Sequence, residues 1–546
     1  MNKPIIYQLF PRLWANYNET RRHNGSKEEN GCGRFVDINK RALKSIADLG
    51  ATHVWYTGVI RHATARYNHP AITKGLAGSP YAITDYYDVD PDLAKNEGKR
   101  MQEFEALVKR THEADLGVII DFVPNHVARE YKSLCKPAGV EDLGENDHPE
   151  WAFSPLNNFY YLPGEKFTMD KDLQGYEEFP AKVTGNDCFT SHPGLNDWYE
   201  TVKLNYGVFY QNGREKQFDP IPGTWIKMRD ILLFWADKGI DGVRVDMAEM
   251  VPVEFFAWAI AAVKKKHKKF LFIGECYDPG QYDAYLAAGF DYLYDKVGMY
   301  DYLRGVMSKG WPTAGITNQW MQHGEQRLKH MLYFLENHDE QRIASGFFCG
   351  SGRSAEPAMI VATLLNQCPV MVYSGQELGE RGMDMEGFSG IDGRTSIFDY
   401  WGMKSIQAWA NKGKFDGGKM TEAQHELRDF YQTLLSFARA SKAIQKGAMY
   451  DITYAQGEGF DKRQHFAFVR HIKGETLLIV ANFHDREQQI QVRIPNDAFI
   501  YLGLEGKANA TATDILSGDK YPIHFMPENA FEITLGAWKG AVLKIR

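Results

Sequence analysis

The sequence predicts an α/β fold: a (β/α)8 barrel of the TIM type, with a small domain inserted after its third strand and an antiparallel β-sandwich domain at its C-terminal end. Three observations carry this. Short apolar runs rich in β-branched and aromatic residues recur between Ile5 and Tyr373, separated by longer amphipathic stretches. One connection, 125–222, is much longer than the others and lacks helical periodicity. Beyond residue 441 the period changes from helical to short strands.

The predicted strands are Ile5–Phe10, His53–Val59, Gly117–Val123, Gly239–Val245, Phe270–Cys276, Phe290–Tyr294, Met331–Leu335 and Val370–Tyr373. Each is apolar for most of its length, as a parallel strand covered on both faces must be. Helical patterns lie between them, for example Met101–Ala114 and Thr224–Lys238. The barrel thus runs over 1–124 and 223–441, interrupted by the inserted domain over 125–222, which is rich in Gly, Pro, Asn and aromatic residues. Thr421 and Gln424 have capping-box spacing ahead of Leu427, Phe430, Tyr431, Leu434, Leu435 and Ala438, which marks the last barrel helix. The C-terminal domain, 442–546, opens with Phe466–Ile472, a Lys473-Gly474 turn, Thr476–Asn482, and then alternating Ile490, Val492 and Ile494. The basic run Lys264–Lys269 sits at a helix end, where cations favour the helix dipole, and reads as a solvated face.

Composition narrows the function. The chain has 546 residues, 44% of them hydrophobic and 24% charged, which is enough for a large core. A net charge of −7 excludes a partner that demands a basic surface, so neither nucleic acid nor an anionic membrane is expected. Aromatic residues reach 13%, a supply of flat rings suited to sugar faces as well as to the core. The six cysteines are scattered without a CxxC pair, which is neither a zinc pattern nor a disulfide framework. The apolar stretch near the N-terminus is broken by Pro11 and Arg12, too early for a signal peptide, and no run is long enough to span a membrane. A soluble, cytoplasmic protein is expected, and its oligomeric state stays open.

Four strand ends carry acidic or imidazole groups: Asp121-Phe-Val-Pro-Asn125-His126, Gly242-Val-Arg244-Val-Asp246, Ile273-Gly-Glu275 and Glu336-Asn337-His338-Asp339. A carboxylate ending a buried strand is costly unless paired or used, and reactive groups in such barrels sit at C-terminal strand ends. Carboxylates beside an arginine suit acetal cleavage, which needs a proton donor and a carboxylate facing the developing cation. There is no nucleophile elbow, no HExxH and no phosphate-binding glycine loop.

In this order, the four blocks resemble the signature regions of the α-amylase family, glycoside hydrolase family 13. Three further segments are similar to it: Ser79-Pro-Tyr81-Ala-Ile-Thr-Asp85-Tyr, His192-Pro-Gly-Leu195-Asn196, and Pro369-Val-Met-Val-Tyr373-Ser-Gly375-Gln-Glu377. The resemblance implies a retaining α-glucan-active enzyme with Asp246 as nucleophile, Glu275 as general acid/base and Asp339 as transition-state stabiliser. It implies that Arg244 holds the nucleophile ionised, that His126 and His338 bond sugar hydroxyls, and that Tyr81 stacks beneath the ring. Asp121 and Asp85 support the site in this scheme, Asp85 bracing Arg244. The partner expected is an oligosaccharide, and no cofactor is required for the chemistry.

The sequence also departs from the family. Glu249 and Met250 stand where many endo-acting α-amylases have Lys-His, so a leaving-side cation is missing. The first-strand turn that holds calcium in some members reads Asn30-Gly-Cys-Gly-Arg34-Phe, with a cation where an acid belongs. Asn125 matches a ligand of the family's other calcium site, which makes it the candidate ligand of a structural calcium, with Asp170, Asp172 and Asp187 as the nearest acids. Retention predicts carboxyls roughly 5–5.5 Å apart. The function expected is hydrolysis of α-linked glucose oligomers or polymers, short chains preferred. The alternatives are an α-glucosyl transferase or phosphorylase of the same family and a non-catalytic sugar-binding relative.

Overall fold

Strand alternation builds this molecule. In the computed structural model, which describes residues 3–546, eight parallel strands close into one barrel in sequential order. They are β1 (Ile5–Leu9), β2 (His53–Tyr56), β3 (Gly117–Phe122), β4 (Gly242–Val245), β5 (Leu271–Gly274), β6 (Tyr292–Tyr294), β7 (Met331–Phe334) and β8 (Val370–Tyr373). All eight predicted strands are present, most of them shorter than their apolar runs. Successive side chains point to opposite faces. Ile6, Trp55, Ile119, Leu271, Ile273, Tyr292, Leu332 and Met371 form one buried cluster inside the barrel. Their neighbours, such as Tyr7, Val54, Val118 and Phe272, join a second cluster with the surrounding helices. Following the inward parity upward leads to Gln8, Asp121, Arg244, Asp246 and Glu275 at the C-terminal mouth.

Between β3 and the helix Gly223–Asp237 lies the long connection. It contains three small antiparallel pairs: His126–Ala128 with Thr201–Lys203, Tyr161–Leu162 with Ala181–Lys182, and Val208–Phe209 with Glu215–Lys216. Tyr160, Leu162, Phe167, Met169, Ala181, Val183 and Tyr199 give it a core of its own. Strands this short carry no readable alternation, which is why the sequence shows none there.

The last barrel helix, Glu422–Ala440, has the full capping box: Thr421 Oγ1 accepts from Gln424 N and Gln424 Oε1 accepts from Thr421 N. Beyond it come β9 (Ala448–Asp451), β10 (His465–Ile472), β11 (Glu475–Asn482), β12 (Gln488–Arg493), β13 (Lys507–Asp514), β14 (Lys520–Phe525), β15 (Ala530–Leu535) and β16 (Gly540–Ile545). Six of these form a sheet in the order β9-β10-β11-β16-β13-β14, while β12 pairs with β15. The β10–β11 hairpin turns on Lys473-Gly474, with Gly474 at φ +90° as a two-residue turn demands. One face of the large sheet packs on β12 and β15 through Val469, Leu478, Val480, Val492 and Ile533. Its other face, with Phe466, Phe468, Leu477 and Ile479, joins the barrel's helical core.

Arg470 fastens this second face to the barrel. It is 1% exposed and donates to the carbonyls of Leu365 (2.7 Å), Ala443 (2.8 Å), Ile444 (3.0 Å) and Gly447 (2.9 Å). Burial pulls its guanidinium down to about 10. Arg470→Met would leave the carbonyls of Leu365 and Ile444 without a donor, those of Ala443 and Gly447 keeping Gly447 N and Gln367 Nε2, and is expected to cost about 3 kcal/mol. Calorimetry should show a lowered Tm, and an unchanged thermogram would show that these carbonyls find other donors.

Candidate active site

Arg244 sits at the centre of the barrel mouth. It is level with Asp121 on one side and Ile273 on the other, and it is fully buried. Its Nη1 donates to Asp246 Oδ1 at 2.5 Å and lies 3.6 Å from Asp121 Oδ1. Its Nη2 lies 2.8 Å from Glu275 Oε2, an ion pair out of line for a hydrogen bond, and its Nε has no partner. The rings of Trp55, Tyr81 and Tyr294 surround the guanidinium at 5.5–5.6 Å. One permanent cation therefore serves three carboxylates.

Local backbone fixes the two acids nearest it. The main chain continues the ladder past the strand ends, with Asp246 N bonded to Phe122 O and Glu275 N to Val245 O. Met247 then turns into the left-handed region at φ +43°, an uncommon conformation for a residue with a side chain. From there its N–H donates to Glu275 Oε2 at 2.8 Å. Tyr277 Oη donates to the other oxygen, Oε1, at 2.7 Å. Burial holds the Asp246 carboxyl well above the usual carboxylate range; Arg244 opposes this and the charge of Glu275 adds to it. Burial likewise raises Asp121 to about 6 against the pull of Arg244.

Both histidines are buried. Gln8 Nε2 donates to His338 Nδ1 at 2.9 Å, which leaves the ring proton on Nε2. That nitrogen bonds the Tyr81 hydroxyl and lies 3.2 Å from Asp339 Oδ2. Tyr81 stacks on the His338 ring at 5.3 Å, and its hydroxyl donates to Asp121 Oδ1 at 3.4 Å. His126 receives Asn125 Nδ2 on its Nδ1 at 3.1 Å. Desolvation takes both imidazoles down to about 3, helped by the charge of Lys203 beside His126 and of Arg244 beside His338. Both rings are therefore neutral donors across the physiological range. Asp339 is the more open acid, its side chain 45% exposed, and its N–H and that of Glu340 are held by Asn337 Oδ1 at 2.9 and 3.0 Å.

These groups meet in a cavity of about 350 Å³, within the usual range for a small-molecule site. Tyr81, His126, Asp246, Glu275 and Asp339 line it. So do Lys74, Trp198, Glu200, Tyr277 and Phe398, which the sequence did not single out. Lys74 Nζ and Glu200 Oε1 form a largely buried ion pair at 3.0 Å. The only signal in the sequence was the place of Trp198 and Glu200 just after the His192 segment. That segment itself is mostly exposed, with His192 3.2 Å from Asp170. A larger cavity, about 730 Å³, lies beneath the barrel against the C-terminal domain and is lined by Trp320, Tyr450, Tyr454 and Tyr501. It lacks the clustered carboxylates.

Two expectations need correction. Asp85 does not brace Arg244: its carboxylate accepts from Leu134 N (2.7 Å) and Cys135 N (2.9 Å) and so ties down the inserted segment, while Asp121 is the acid beside Arg244. Glu249 is turned into the loop, where its Oε2 accepts from the N–H groups of Tyr277 and Asp278, both at 2.9 Å. Asn125 does not fit a calcium ligand. Its Oδ1 accepts from Lys203 Nζ at 2.6 Å, and Asp187 Oδ1 lies 2.6 Å from the same ammonium. Asp170 and Asp172 are exposed and point to other partners. The first-strand turn is likewise closed by protein groups, with Arg34 on Asp37 at 2.8 Å.

Among the described residues no helix is long and apolar enough to cross a membrane. The family model for the α-amylase catalytic domain matches residues 8–469. Neopullulanase 2 of Thermoactinomyces vulgaris is 21% identical over 99% of this chain and 77% of its own length. Trehalose-6-phosphate hydrolase of Bacillus subtilis is 22% identical over 89% of this chain and 90% of its own. Among solved structures, the maltogenic α-amylase AmyB of Thermotoga neapolitana superposes with TM-score 0.64 at 20% identity, covering 99% of this chain and 98% of that one. The α-amylase of Geobacillus thermoleovorans, complexed with acarbose, gives 0.65 at 19%, covering 100% and 98%. At such identities the superpositions speak for the fold, and the family model, matched across barrel, inserted segment and the start of the C-terminal domain, decides the membership: the chain belongs to the α-amylase family.

Proposed function

We propose that this chain is a retaining α-glycoside hydrolase acting on α-linked glucose oligomers, with Asp246 as nucleophile, Glu275 as general acid/base and Asp339 as stabiliser of the oxocarbenium-like transition state. The observation that carries this is a single buried guanidinium shared by Asp246 and Glu275 at the floor of the cavity that Asp339 also lines. The in-line bond from Arg244 aims one oxygen of Asp246 and opposes the effect of burial on its charge, and Met247 N–H and the Tyr277 hydroxyl fix Glu275 beside it. In the first step an Asp246 oxygen bonds the anomeric carbon as its bond to the leaving oxygen breaks, and Glu275 protonates that oxygen. In the second, Glu275 takes a proton from water, which displaces the Asp246 ester and restores the α-configuration. Tyr81 offers a ring face to the sugar and His126 an N–H donor to its hydroxyls, while the His338 N–H is held by the Tyr81 hydroxyl.

The chemistry is checked by following the first turnovers on a maltooligosaccharide by proton NMR. The α-anomer should appear first, and initial release of the β-anomer would sink the mechanism. Asp246→Asn should lose nearly all turnover while the protein stays folded. The pH profile carries a second check. Attack needs the Asp246 carboxylate, and burial raises its pKa, so activity is lost as pH falls through a value above the ordinary carboxylate figure of about 3.9. An acid limb at or below that figure would contradict the burial argument.

Chain length is the third expectation. No lysine follows the nucleophile, and Glu249 is turned into the loop backbone, so sugars beyond the cleavage point lack a charged contact there. Such a contact is worth about 1–3 kcal/mol. Maltooligosaccharides should therefore give a higher kcat/KM than soluble starch, counted per cleavable bond. A preference for the polymer would refute short-chain specificity and leave the mechanism standing. Products longer than the substrate would show transfer instead of hydrolysis.

A further inference from the structure

We propose that the Lys203 ammonium is a built-in cation at the junction of barrel and inserted segment, holding there the oxygens that a calcium ion would otherwise hold, and that through Asn125 it positions His126. The second half rests on the glycosidase reading above, and the first does not.

Lys203 ends the strand Thr201–Lys203, directly opposite His126 on the strand His126–Ala128. The residue is 1% exposed, a burial that lysine tolerates only with partners. It has three. Nζ lies 2.6 Å from Asn125 Oδ1, 2.6 Å from Asp187 Oδ1, and 5.2 Å from the centre of the Tyr210 ring. Asp187 reaches it from a left-handed backbone conformation, φ +61°, so the loop is bent to deliver the carboxylate. One ammonium and one carboxylate balance. Calcium needs about six to eight oxygens, and here it would lie against a fixed positive charge with a single acid to answer both.

An ammonium can only donate, so it dictates which end of the Asn125 amide faces it. With the oxygen so held, Nδ2 donates to Gly185 O at 2.7 Å and to His126 Nδ1 at 3.1 Å. A donor at Nδ1 leaves the ring proton on Nε2. The chain Lys203–Asn125–His126 thus sets the tautomer of a ring that lines the substrate cavity. A neutral residue at 203 would leave either amide orientation open, and with it the proton position of His126.

The test uses the full chain purified without chelator. Elemental analysis should find calcium far below one equivalent, and neither excess EDTA nor added calcium should move Tm. Stoichiometric calcium, or a Tm that falls on chelation, would overturn the built-in cation whatever the protein hydrolyses. Lys203→Met should lower Tm and reduce kcat/KM on maltooligosaccharides about tenfold, about 1.4 kcal/mol. Combined with His126→Ala it should cost nothing beyond His126→Ala alone, because the two act as one unit. Additive losses would overturn the positioning role. Lys203→Arg keeps the charge and should retain most activity, and it serves if the Met variant does not fold; an Arg variant as impaired as His126→Ala would count against the proposal.

Discussion

Everything at the barrel mouth depends on one buried charge. Arg244 is shut off from water, yet it stands within ion-pair distance of Asp246, Glu275 and Asp121. Desolvating a guanidinium is expensive, and removing one partner of such a pair typically costs about 3–5 kcal/mol, because the other charge is left buried alone. The planar fork explains the choice of arginine. Two nitrogens about one carbon can face two carboxylates at once, which a lysine's point charge cannot do with defined geometry. Burial raises the carboxyls of Asp246 and Asp121, Arg244 opposes it at both, and the charge of Glu275 adds to it at Asp246.

The barrel supplies the geometry and the connections supply the shape. Inward parity on β3, β4 and β5 delivers Asp121 and Arg244 to one level and Asp246 and Glu275 two residues further on, and short extensions of the ladder hold the last two. Other parts are set by loops. Met247 turns left-handed to offer its N–H, Glu249 pins the loop that carries Tyr277, and Asn337 holds the backbone of Asp339. The inserted segment forms the remaining wall with Trp198, Glu200 and Thr201. Its anchors, Asp85 on the 133–135 loop and Lys203 on Asn125, are polar contacts made across long sequence separations.

What could be read from the sequence alone was whatever depends on short-range periodicity or on a group's cost of burial. The eight apolar runs, the Thr421–Gln424 box and the Lys473-Gly474 hairpin are local signals, and each appears in the structure where it was expected. Acids at the ends of buried strands were legible too, because a charge in such a place needs a reason. What only the tertiary structure decided was partnership. Asp85 and Asp121 look equivalent in sequence, yet only Asp121 stands on the rung beside Arg244. Lys203 carries no motif, and Lys74 and Glu200 lie far apart in the chain, so neither ion pair has a local signature. Nor does a glutamate three residues after Asp246 announce whether it will face a cavity or a backbone. Propensity and alternation act over a few residues, whereas the pairing of buried charges is settled by which loops the closed barrel brings together.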